Sequence, residues 1–194
     1  MMINRRRVYG GSKKLPYDAE IEYLESSGNQ YIDTGVVLDA TMTVRVLYDY
    51  IQTGFVFGAR KSLYVGYSGV TNESEGYYCI RYGNKVLYQL KTIPPGINDV
   101  VISPTGVVLN GKTVSVATYG NMFFSGHCFL FTINNGGSPF LGEFAFNRIR
   151  RFSIENIIDL IPVRVGNIGY MYDKVSKQLF GNAGTGEFIL GPDK

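Results

Sequence analysis

The chain has 194 residues, of which 45% are apolar, 18% charged and 14% aromatic, and its formal net charge is +3. These totals fit one globular domain and exclude disorder along the whole length, because enough apolar surface is present to offset the entropy of ordering. Five cations, Arg5, Arg6, Arg7, Lys13 and Lys14, precede residue 15, so the remainder carries 14 basic against 16 acidic residues, a net −2 that excludes a domain with a basic nucleic-acid-binding face.

Residues 1–19, opening "MMINRRRVYGGSKKLP", show neither helical nor strand periodicity and read as a basic, extended N-terminal arm; residues 20–194 read as one folded domain. The arm's arginines are not followed by an apolar h-region, and no apolar run approaches 18 residues, so neither a secretion signal nor a membrane span is expected. From Ile21 onward apolar residues recur at spacing two or in short runs bounded by Gly, Asn, Pro or Ser, the pattern of strands and turns. The pattern predicts strands at 20–24, 30–33, 42–50, 54–59, 62–67, 76–82, 85–91, 98–103, 106–109, 112–117, 127–133, 142–154, 160–165, 168–173, 178–180 and 187–190. Within it, "VVLNGKTVSV" carries Asn110-Gly111, suited to a type I′ hairpin, while "TNESEG" and "TINNGGSPF" read as loops. "SIENIIDLI" has a possible helical phase, but β-branched Ile and the nearby Pro162 favour a turn and a strand. The expected class is all-β, a two-sheet antiparallel sandwich.

No residue pattern points to catalysis. Glycosidases built on sandwiches set two carboxylates on one strand; here Glu73 with Glu75 sits in a polar loop, and Glu155 with Asp159 brackets an Ile pair. His127, the one histidine, neighbours Ser125 and Cys128, yet no oxyanion-hole motif accompanies it. Cys79 and Cys128 lack CxxC spacing, which favours two buried thiols, with a cross-strand disulfide as the alternative. No metal or other cofactor is expected, since calcium would need a cluster of oxygen ligands that the loops do not offer.

Six segments, in order, carry a resemblance: "IEYLESSGNQYIDTG", "GFVFGAR", "VVLNGKTV", "LFTINNGG", "GEFAFNRIRRFSI" and "DLIPVRVGNIGYMYDKVSKQLFGNAGTGEFILG". Over about residues 20 to 191 the chain resembles concanavalin A-like, laminin-G-like modules of tailed phages, crAss-like phages among them, and of bacterial surface proteins. The resemblance implies a jelly-roll sandwich whose first and last strands lie side by side. "YLES" would then enter a sheet, "SGNQ" would turn, and "YIDTG" would begin the next strand, with Asp33-Thr34-Gly35 a side-chain-capped turn and "NAGTGEF" its neighbour.

It further implies a virion protein, assembled in the host cytoplasm: an auxiliary capsid-decorating or head-fibre or tail-associated protein, present in several symmetric copies. Arg5, Arg6, Arg7, Lys13 and Lys14 would anchor it to major capsid or tail proteins, the plainer reading being a solvated tail, and Arg148 and Arg150, on one face of an alternating strand, could meet carboxylates of a neighbouring subunit or form a solvent-facing sheet row. The alternative is a carbohydrate-binding adhesin. Host-surface glycans would then be held by Asn134 and Asn135 with Tyr64, Tyr67, Tyr77 and Tyr78 as stacking faces, against the plainer reading of those tyrosines as sheet residues.

Overall fold

The computed structural model describes residues 15–52, 54–61, 67–73, 77–83, 85–90, 96–115, 126–142 and 146–194, and of the strands between 67 and 90 it describes the backbone. These residues form strands and turns, with no α-helix among them. The first sheet runs β11 (Lys112–Ser115), β10 (Gly106–Leu109), β9 (Ile97–Ser103), β4 (Val44–Asp49), β15 (Arg148–Ile154), β16 (Ile158–Val165), β17 (Ile168–Asp173) and β18 (Leu179–Phe180); β1 (Ala19–Glu20), β2 (Leu24–Glu25) and β19 (Ile189–Leu190) join it beside β15 and β16. The second holds β3 (Ile32–Val37), β12 (His127–Leu130), β5 (Gly54–Arg60), β6 (Tyr67–Glu73), β7 (Tyr77–Gly83) and β8 (Lys85–Leu90), with β13 (Asn134–Asn135) and β14 (Ser138–Pro139) beside β5. β13 runs parallel to β5, and the other named pairs are antiparallel.

Alternation explains the layering. In β4, Val44, Val46 and Tyr48 are buried while Arg45 is exposed, so one face of the first sheet meets the core and the other meets water. Val56, Phe57 and Leu130 of the second sheet enter the same core, where the Phe57 and Phe152 rings meet edge-on at 5.2 Å. Two sheets on one apolar core are compatible with a β-sandwich.

The two ends of the described chain are joined. β19 pairs with β2 through Ile189–Glu25 and Leu190–Leu24, and Ile21 bridges Asp193. The expectation that the first and last strands adjoin is met at this seam. Asp18 and Ala19, assigned to the arm by sequence, already ladder onto Arg164, with Asp18 N–H donating to its carbonyl at 2.9 Å.

The "YIDTG" stretch is also accounted for. Residues 26–30 turn, and Asp33-Thr34-Gly35 lies inside β3 rather than after it, as a bulge. Phe129 opposes Asp33 and His127 opposes Val37, so β3 spends two extra residues. Asp33 Oδ1 accepts from Gly35 N–H at 2.8 Å, the side-chain cap expected, and the loop 181–186 lies alongside, Ala183 N–H donating to the Tyr31 carbonyl at 2.9 Å.

Three local expectations change. "TINNGGSPF" is a hairpin, because Gly136 and Gly137 both take positive φ (65° and 99°) and so form the two-residue turn between β13 and β14. Glu73 closes β6, where it opposes Tyr77, instead of standing in a loop; Glu75 lies outside the described residues. The strand expected over 142–154 begins at Arg148. The strand expected over 62–67 has its described part, from Tyr67, in β6, and residues 62–66 lie outside the described ones. "SIENIIDLI" is a turn and a strand as expected, and Asn110-Gly111 forms its hairpin with φ of 49° and 78°.

Candidate functional site

A cluster of paired charges sits on the outer face of the first sheet, where β15 bulges. Ile149 opposes Tyr48 and Arg151 opposes Leu47, so Arg150 is the extra residue. Inward positions go to Ile149, Phe152 and Ile154, and the bulge turns Arg150 and Arg151 outward in succession. The adjacent arginines of "RIRRFSI" are therefore the sequence mark of the bulge, since strict alternation would have buried one of them.

Arg148 donates to Glu25 Oε2 through Nε at 2.9 Å and Nη2 at 2.5 Å, and its Nη1 lies 3.6 Å from Asp49 Oδ2. Arg150 grips Asp49 with two bonds of 3.0 Å and reaches Glu22 Oε2 at 3.2 Å. Both guanidinium groups stand over the Tyr23 ring, 4.0 and 5.5 Å from its centroid. Burial opposes the charge of Arg148, but Glu25, Tyr23 and Asp49 outweigh it and raise its pKa; for Arg150 the bond to Asp49 leads, against burial, with Glu22 adding. The cluster ties β2, β4 and β15 together across long sequence separations.

The same face repeats the device. Arg45 pairs with Asp99 at 2.6 Å, Arg151 with Asp159 at 2.9 Å, and on the neighbouring rim Arg164 pairs with Asp193 at 2.6 Å. Bidentate arginines answered by the chain's own carboxylates make a solvated, self-neutralised face. The partners foreseen for Arg148 and Arg150 on a neighbouring subunit are thus supplied within the chain. Tyr23, Glu22, Glu25 and Asp49 carry no sequence signal of this role except a charge excess opposite those arginines.

The sugar-site candidates fall into separate places. Asn134 is buried; its amide donates to the His127 carbonyl at 2.9 Å and accepts from Gly137 N–H at 2.8 Å, which fixes the Gly-Gly hairpin. Asn135 Oδ1 accepts from Arg60 Nε at 2.8 Å. Tyr67 pairs with Gly83, whereas Tyr77 and Tyr78 pair with Glu73 and Asn72 at the far end of the same two strands. At about 3.3 Å per residue those backbones lie roughly 17 Å apart, too far for one monosaccharide. Tyr64 and the basic arm residues Arg5, Arg6, Arg7, Lys13 and Lys14 lie outside the described residues.

His127 and Cys128 are placed apart. The imidazole Nδ1 lies 3.1 Å from Asp33 Oδ1 at the surface, and Cys128 points into the core as a free, fully buried thiol. Burial, followed by the Asp33 charge, pushes that thiol well above its ordinary range, which disfavours the thiolate form. Among the described residues no group of three or more His, Cys, Asp or Glu could hold a metal ion, and no helix is long and apolar enough to cross a membrane. Ser125 and the Cys79 side chain lie outside the described residues.

Comparison with protein-family models, with curated proteins and with solved structures gives no match to this chain.

Proposed function

We propose that this chain is a structural module of a bacteriophage particle, an auxiliary capsid-decorating or head-fibre or tail-associated protein of jelly-roll connectivity, held in place by the basic segment ahead of residue 15. The observation that carries the reading is the anchoring of the residues that follow that segment in sequence. Tyr17 packs edge-on against Tyr172 with centroids 4.9 Å apart, and Asp18 is laddered to Arg164, so the chain from Tyr17 onward is fixed to the sheet. The motifs quoted from the sequence supply the phage context, and the self-neutralised outer face suits a module whose contacts are made elsewhere.

Several symmetric copies would sit on major capsid or tail proteins, added as particles assemble in the host cytoplasm. The internal commitments of Asn134 and Asn135 favour this structural role over glycan binding. Deleting residues 1–14 tests it. The truncated chain should remain soluble and keep its cooperative unfolding while its copies disappear from particles; full occupancy by the truncated chain would refute the anchor.

A further inference from the structure

The sequence holds two Asn-Gly dipeptides, and the fold treats them differently. Asn110-Gly111 is the turn of the β10–β11 hairpin, whereas Asn135 ends β13 and Gly136 opens the turn to β14. The pairing carries its own chemistry, because a glycine nitrogen, unhindered by a Cβ, can reach the side-chain carbonyl of the residue before it. The Gly nitrogen bonds to Asn Cγ, the Cγ–Nδ2 bond breaks, and ammonia leaves with the proton that the Gly nitrogen gives up. Water then opens the cyclic imide. Cleavage of the new N–Cγ bond gives aspartate, and cleavage of the original peptide C–N bond gives isoaspartate, whose main chain runs through the side chain.

The two electrophiles are matched: Asn110 Oδ1 accepts from Asp99 N–H and Asn135 Oδ1 from Arg60 Nε, each at 2.8 Å. The two nucleophiles differ. Gly136 donates its N–H to the Arg60 carbonyl at 2.8 Å, and a Cβ added to it would stand 3.2 Å from the Lys61 carbonyl oxygen, so its nitrogen is both engaged and crowded. Gly111 is exposed, a Cβ added to it would meet nothing within 4 Å, and among the described residues no bond from its N–H is found. Releasing a hydrogen-bonded N–H before attack slows Asn135 by about fivefold or more relative to Asn110.

We propose that Asn110 is a modification site of the folded chain, self-converting to aspartate and isoaspartate, and that isoaspartate there opens the edge of the first sheet. Asn110 Nδ2 donates to Oδ1 of the buried Asn98 at 3.2 Å, and its N–H donates to the Asp99 carbonyl at 2.8 Å, so this residue ties the hairpin tip to β9. Either product loses the Nδ2 donor. Isoaspartate also lengthens the main chain of a tight turn closed by φ of 49° and 78°, which the Leu109–Lys112 register does not accommodate. β11 ends the sheet, so among the described strands the hairpin is paired on one side only.

The full-length chain is aged folded in mildly alkaline buffer and, in parallel, unfolded in concentrated urea. Peptide mass spectrometry follows the amide-to-acid change, and an isoaspartyl methyltransferase marks isoaspartate. In the folded sample Asn110 should convert at least about fivefold faster than Asn135, and in urea the two should convert at similar rates. Equal folded rates, a faster Asn135, or an Asn110 that converts only when unfolded overturns the proposal. The same preference in urea also overturns it, since local sequence rather than the fold would then set the difference. Hydrogen exchange on the isoaspartate fraction, separated from the aged sample, should be at least about fivefold faster over residues 106–115 than in the parent and unchanged over β4 and β15. Exchange at the parent's rate over 106–115 overturns the opened edge.

Discussion

Gly184 lies so close to Asn29 that a Cβ added to it would stand 1.9 Å from the Asn29 carbonyl oxygen. This approach seats the loop 181–186 on the turn after β2: Thr185 N–H donates to the Asn29 carbonyl at 3.1 Å, Gln30 Nε2 donates to the Thr185 carbonyl at 3.1 Å, and Tyr31 N–H donates to Asn182 Oδ1 at 3.2 Å. The atom in the way is backbone, so it cannot rotate aside. Gly184→Ala should lower stability by about 1–3 kcal/mol, read as a fall in urea midpoint with unchanged slope. A midpoint equal to the parent's would mean that the loop is not seated as described.

The Arg148 network makes a second prediction. Arg148→Met removes both bonds to Glu25 and the cation over Tyr23 while keeping much of the side-chain volume. The site is partly exposed, so solvent screening limits the loss to about 1–2 kcal/mol. Arg148→Lys should recover less than half of it, because an ammonium cannot reproduce the bidentate grip. A double-mutant cycle with Glu25→Gln measures the coupling, and a coupling of zero would contradict the geometry.

Asp173 gives the chain an acid limit. Burial by itself would raise its carboxyl; the Ser176 hydroxyl and the backbone N–H groups of Asp159, Ser176 and Val175 outweigh burial and hold the pKa below the ordinary 3.8. A folded pKa below the unfolded one means that the unfolded state binds more protons in the interval between them. Stability from this group is therefore complete above about pH 4 and lost as pH falls through the folded value. Urea midpoints of the parent should drop more steeply below pH 4 than those of Asp173→Asn, which should already be less stable at pH 7. Parallel acid profiles would rule out this role for Asp173.

Cys128 should resist thiol reagents. In a Cys79→Ser background it is the one remaining thiol, 0% exposed and raised in pKa chiefly by burial. Alkylation at pH 8 should be slower in the native chain than in concentrated guanidinium by at least about 100-fold, because reaction requires both opening and ionisation. Comparable rates in the two conditions would place this thiol at the surface.

The sequence by itself determined the all-β class, most strand positions and the Asn110-Gly111 turn, since period-two burial and positive-φ turn chemistry are local properties written residue by residue. The seam between the first and last strands was not readable from periodicity; it was expected only from the resemblance carried by motifs such as "YLESSGNQYIDTG" and "GNAGTGEFILG". Tertiary structure alone decided which carboxylates answer Arg148 and Arg150, because Glu25 and Asp49 stand 123 and 101 residues away from them and only register brings them opposite. It likewise separated Tyr67 from Tyr77 and Tyr78, which sequence proximity had grouped and strand pairing set at opposite ends. The bulge in β15 lies between the two cases: the doubled arginine is visible in the chain, but its meaning follows only when Arg151 is seen to oppose Leu47. Local periodicity fixes which way a side chain points, whereas the neighbour it meets depends on pairing partners chosen across the whole chain.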